Sequence, residues 1–96
     1  MEYWVYLIRC GDNSLYCGLT TDLARRLQEH NQGRGAKYTS GRLPVALARA
    51  WRVNSRSEAL RLEAGIKKCS RAKKEELIRS ADSIRALGFP FPCQTG

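Results

Sequence analysis

A chain of 96 residues has room for one core of ordinary domain size and little for a second. With 43% apolar and 27% charged residues it is too apolar for a disordered tail. The net charge is +8, and the excess is localised: residues 1–22 hold one base and three acids, residues 23–80 fifteen bases and five acids, and residues 81–96 one of each. A basic belt of that density fits a polyanion partner, because neutralising phosphates releases counterions and gives affinity without sequence preference; a merely soluble basic surface is the plain alternative. The longest apolar run, Tyr3 to Ile8, is far short of a bilayer span, and the opening Met-Glu-Tyr-Trp lacks a basic leader. No membrane partner is expected, and the chain reads as cytoplasmic. Cys10, Cys17, Cys69 and Cys93 form no C-x-x-C pair and no cluster of zinc spacing, which argues against structural zinc and for reduced thiols.

Tyr3 to Arg9 is aromatic and β-branched and runs into the turn cluster Gly11-Asp12-Asn13-Ser14, after which Leu15 to Thr20 resumes the strand pattern, so a hairpin is predicted. Thr20-Thr21-Asp22 offers N-caps for a helix from Leu23 to Gln32, closed by Gly33. Gly33 to Pro44 is a basic loop with space for one helical turn. Val45, Leu47, Trp51 and Val53 mark one face of a third strand, interrupted by Arg49. Ser55-Arg56-Ser57-Glu58 fits a capping box and starts a helix to about Lys68; Ser70 caps another through Arg79 or beyond. Gly88 and Phe89-Pro90-Phe91-Pro92 end regular structure and leave an extended tail. The expected fold is α/β, a small three-stranded antiparallel sheet flanked by helices, with a domain at 1–80 and a helix end plus tail at 81–96.

Several polar residues fall where apolar ones belong. Leu23, Arg26, Leu27 and His30 form one i, i+3, i+4, i+7 stripe on the first helix. Arg26 snorkelling around a narrow apolar face, and His30 serving the helix C-terminus, would be the plain explanation. Arg25 and Glu29 sit elsewhere on that helix as an i, i+4 pair. On the capping-box helix Glu63 lies within the arc of Leu62, Ile66, Ala59 and Leu60, a carboxylate facing inward, although an i, i+4 pair with Lys67 accounts for it equally. Strand tyrosines such as Tyr6 and Tyr16 ordinarily pack in the core with the hydroxyl at the rim, whereas Tyr38, between Lys37 and Thr39, has less reason to be core. Gly18 within a strand suggests a bulge or a close approach. Tyr6 and Tyr16 share a sheet face only if paired residue numbers have an even sum, so an odd-length loop or a bulge is predicted rather than a two-residue turn.

Together these residues resemble the GIY-YIG endonuclease superfamily, specifically its small stand-alone bacterial members. Trp4-Val5-Tyr6 and Tyr16-Cys17-Gly18 match the two name motifs, Arg26 and His30 the helix motif ten and fourteen residues beyond Tyr16, and Glu63 the metal-binding glutamate. Trp4 stands where the first motif has glycine and Cys17 where the second has isoleucine or valine. The asparagine that many members carry after the glutamate has no counterpart beyond Asn54. The resemblance implies metal-dependent hydrolysis of a nucleic-acid phosphodiester, DNA ahead of RNA, with Mg²⁺ (or Mn²⁺) on Glu63 and Arg26 on the phosphate. It further implies Tyr6 as general base, His30 taking or orienting the proton, and Tyr16 positioning phosphate or water. Nucleic acid is expected across Gly18, Arg25, Arg26, Lys37, Tyr38 and Lys67, bound by a monomer, with a protein partner supplying specificity. A catalytically weak binding module, or a nuclease subunit that needs its partner, is the alternative.

Overall fold

The computed structural model describes residues 2–95. The aromatic and β-branched N-terminal run forms β1 (Tyr3–Arg9), paired antiparallel with β2 (Leu15–Thr20). The Cys10 amide donates to the Ser14 carbonyl at 2.8 Å, so the loop between them is Gly11-Asp12-Asn13, with Asn13 at φ 68°. An odd-length loop closed by a left-handed residue is a standard hairpin solution. It sets Tyr6 opposite Gly18 and Ile8 opposite Tyr16, so both tyrosines share a face, as the even-sum condition requires.

β3 (Ala46–Val53) pairs with the other side of β1, completing the predicted three-stranded sheet. The tail adds the two-residue β4 (Gln94–Thr95) beside β3, giving the order β2-β1-β3-β4. The expectation of one apolar face on the third strand needs correction. Leu7 pairs with Arg49 but Ile8 with Leu47, so Ala48 is an extra residue in a β-bulge, and the alternation changes phase there. Trp51 and Val53 point to one face, Val45 joins Tyr6 and Ile8 on the other, and Leu47 is exposed. Arg49 clamps the sheet to a helix, donating through Nε to the Ile78 carbonyl at 3.1 Å.

Helix α1 (Leu23–Asn31) begins at Asp22, whose carboxylate accepts from the Arg25 amide. One turn, α2 (Lys37–Ser40), fills the basic loop. At α3 (Arg56–Lys67) Ser55 caps the Glu58 amide, while the Glu58 carboxylate accepts from Asn54, one residue outside an ideal capping box. Ser70 caps α4 (Arg71–Arg79). A 3₁₀ helix (Ala81–Leu87) then ends at Gly88, φ 73°, from which Phe89 returns over α3 at Gly65.

The sheet separates two cores. On one face Val5, Leu7, Cys17, Trp51 and Val53 pack against Ala59, Leu62, Ile66, Leu77 and Ile84. On the other Tyr6, Ile8, Cys10, Val45 and Ala50 are covered by Trp4, Tyr16, Leu23 and Leu27. Cys17 therefore serves as an ordinary small apolar residue beneath the sheet, and Trp4 as part of the tyrosine-bearing face.

Candidate active site

The hairpin register and the α1 stripe bring four of the five candidate catalytic residues together. Tyr6, 1% exposed, places its Oη 2.9 Å from Nε2 of His30, which is 0% exposed. Its hydroxyl is thus inside the protein rather than at the rim. Tyr16 sets its ring edge-on to His30, with centroids 5.6 Å apart. The Arg26 guanidinium lies near enough to the Tyr6 phenol for its charge to favour the ionised form, and pairs with Glu29 at 3.2 Å. Tyr6 and His30 form the inner layer, and half-buried Tyr16 and Arg26 the outer one.

Electrostatics separate the inner pair. Burial pushes the Tyr6 phenol above its usual pKa, while Arg26 pulls the other way. His30 is held below its usual value by burial and by the Arg26 charge, despite the opposing pull of Glu29. At neutral pH the pair is a phenol facing a neutral imidazole.

Gly18 is explained by Tyr6 rather than by a bulge. The register is continuous there, and a Cβ would overlap the Tyr6 hydroxyl. Gly18 is buried, so it gives space to the tyrosine. Arg25 is strongly exposed and paired with Glu29, and Lys37 is exposed on α2. Tyr38, 41% exposed, stacks on Tyr16 with centroids 5.9 Å apart and planes at 23°. The Arg42 guanidinium lies 4.1 Å from the Tyr38 ring centroid and is held by Asp12 at 3.0 Å.

Glu63 belongs to the opposite layer. Ala59, Leu62 and Ile66 of its helix are buried, but Leu60 is exposed, so the apolar arc is narrower than predicted. The Glu63 carboxylate is mostly covered, pairs with Lys67 at 3.7 Å, and acts electrostatically on Cys17 of the edge strand β2. No hydrogen bond or ion pair joins it to the tyrosine cluster among the described residues. The five residues thus divide across β2, four on one face and Glu63 on the other. No group of three His, Cys, Asp or Glu side chains converges among the described residues. A lone carboxylate suits Mg²⁺, which keeps most of its waters and completes its shell from a phosphate, and does not suit a closed zinc cage.

Sequence reasoning missed Thr39, whose Oγ1 lies 2.8 Å from His30 Nδ1, and Asn31, whose side chain bonds both the amide and the carbonyl of Val45. Asn31 continues the Leu23–Leu27 stripe by one further i, i+4 step, whereas Thr39 lies on no stripe. For Thr39 the available signal was Gly33 and Gly35, which mark a loop able to fold back on α1.

The family model for the GIY-YIG catalytic domain matches residues 2–76, and the chain belongs to that family. Its similar relatives are UPF0213 proteins. One from Halobacterium salinarum is 55% identical over 74 residues, covering 77% of this chain and 96% of that protein. The solution structure of the UPF0213 protein BH0048 from Bacillus halodurans has a TM-score of 0.55 at 47% identity, covering 82% of this chain and 84% of that one. That of the protein EF2693 from E. faecalis has a TM-score of 0.58 at 42% identity, with the same coverage. The α/β fold, a three-stranded antiparallel sheet flanked by helices, is therefore that of a nuclease family, and no helix among the described residues is long and apolar enough to cross a membrane.

Proposed function

We propose that this protein is a divalent-metal-dependent endonuclease hydrolysing nucleic-acid phosphodiester bonds, DNA ahead of RNA. The observation that carries the proposal is the buried Tyr6–His30 hydrogen bond, with the Arg26 charge near enough to favour the phenolate. A structural tyrosine has no need of a buried neutral imidazole at its oxygen and a guanidinium charge nearby. Tyr6 takes the proton of the attacking water as it passes its own to His30, so no free phenolate has to accumulate. Arg26 stabilises charge developing on the phosphate, where its hydrogen bonds strengthen toward the transition state. Tyr16, in the outer layer, orients phosphate or water. Glu63 would hold Mg²⁺ or Mn²⁺, which when bound supplies Lewis-acid stabilisation of the phosphate and leaving oxygen. Arg25, Lys37 and Lys67 supply sequence-independent affinity, and Tyr38 stacks or reaches phosphate. The proposed protein acts as a cytoplasmic monomer whose site choice comes from a partner.

The Glu63–Lys67 ion pair favours a second reading, a nucleic-acid-binding module without turnover. The test is cleavage of single-stranded, duplex and branched DNA and RNA, with and without Mg²⁺, by wild type and Glu63→Gln. Loss of turnover with binding retained supports the metal site, since removing a negative charge near the phosphate does not weaken affinity. Equal cleavage by both proteins rejects that role for Glu63, and no cleavage by wild type on any substrate favours the binding module.

A further inference from the structure

Two residues of the 33–44 loop turn inward onto His30. Thr39 is fully buried, with Oγ1 2.8 Å from His30 Nδ1 and 3.0 Å from the Ala36 carbonyl oxygen. Gly35 lies so close to the imidazole that a Cβ there would overlap Nδ1. Across the ring, Nε2 is 2.9 Å from Tyr6 Oη. The directions of these bonds follow from counting protons. A phenol has one proton to give, and among the described residues the one hydrogen-bond partner of the Tyr6 oxygen is His30 Nε2. At 1% exposure that proton needs an acceptor within the protein, and Nε2 is the one at hand. A neutral imidazole then carries its proton on Nδ1, donates it to Thr39 Oγ1, and the Thr39 proton goes to Ala36. In the reverse arrangement Nε2–H would donate to the Tyr6 oxygen. The buried Tyr6 proton would then have no acceptor among the described residues.

We propose that Thr39 is a positioning residue that, with Gly35, holds His30 as the Nδ1–H tautomer and so keeps Nε2 ready for the Tyr6 proton. Its catalytic meaning rests on the assignment of Tyr6 and His30 as the proton-handling pair, but the tautomer itself is a property of the resting protein. His30 is the chain's single histidine, so its two ring nitrogens give unambiguous ¹⁵N resonances. Long-range ¹H–¹⁵N spectra of the full chain, at a pH where the ring is neutral, should show a pyrrole-like Nδ1 and a pyridine-like Nε2. Thr39→Val keeps the shape but removes the hydroxyl, and should move the two shifts toward each other or exchange them, while Thr39→Ser restores the wild-type pattern. A pyridine-like Nδ1 in wild type overturns the proposal, as does an unchanged tautomer in Thr39→Val. Backbone amide spectra establish that the variant is folded; if it is not, Thr39→Ala takes its place and is read in the same way. A protein that cleaves nothing but shows the Nδ1–H form upholds this inference and counts against the nuclease alone.

Discussion

Tyr6 reaches His30 because the residue paired with it across the hairpin has no side chain. Gly18→Ala places a Cβ into the Tyr6 hydroxyl and should cost about 1–3 kcal/mol by overpacking. Denaturant melts should show that loss, and cleavage should fall with it because the phenol is displaced. Tyr6→Phe keeps the ring but leaves the buried Nε2 without its donor. A stability loss of about 1–3 kcal/mol is expected, and cleavage should drop by about 10²- to 10⁴-fold, the range for a lost general base. At this scale the sequence was informative wherever a polar residue interrupted a period. Arg26 and His30 on an apolar stripe, and the parity condition on Tyr6 and Tyr16, identified a cluster that the structure contains. Thr39 was not legible, because a buried hydroxyl in a single helical turn has no stripe to interrupt.

Elements were legible to the extent that their caps were. Asp22, Ser55 and Ser70 each accept the amide three residues on, and the helices start there. The phase of β3 was not legible, because a bulge is an extra residue that leaves composition unchanged and shows only against its neighbour. The tie between the hairpin and α4 was equally hidden. Arg9 makes a two-pronged pair with Glu75, and Arg71 joins Glu75 at 3.0 Å and the Asn13 carbonyl at 2.6 Å. These contacts, the Arg9 hydrogen bonds foremost, hold the Glu75 carboxyl down at about 2, against an ordinary 4.5. A carboxylate whose pKa falls on folding stabilises above its unfolded value and ceases to as pH falls through the folded one. Melting of wild type and Glu75→Gln should therefore differ at neutral pH and converge as pH is lowered from about 4.5 to about 2. A constant difference across that range would mean that Glu75 contributes by packing rather than by charge.

For the molecule as a whole, the division of the sheet decides what each charge can reach. Arg25, Lys37 and Tyr38 stand on the α1–α2 side, Lys67 belongs to α3, and β2 is the edge between them. A nucleic acid touching both groups must cross that edge. Its affinity should fall steeply with salt, the log–log slope reporting the phosphates neutralised, and Arg25→Ala or Lys37→Ala should each flatten that slope by about one unit. A slope near zero in wild type would exclude phosphate-dominated binding. The basic belt was visible in the sequence as a count, but its distribution over two faces needed the fold.

The two cores differ in depth, and that difference sets how the molecule comes apart. Trp51, Leu7, Leu62, Ile66 and Leu77 fill one side, while the other rests on Tyr6, Ile8 and Val45 under one nine-residue helix and a single turn. Cooperative units with less buried apolar surface open at lower free energy. Amide hydrogen exchange should accordingly release α1 and α2 before α3 and β1, through a partly open state that keeps the deeper core intact. Heating a Trp4→Phe variant should then disturb the His30 ring resonances several degrees before the Trp51 fluorescence reports unfolding, and coincident transitions would show that the two layers are a single cooperative unit.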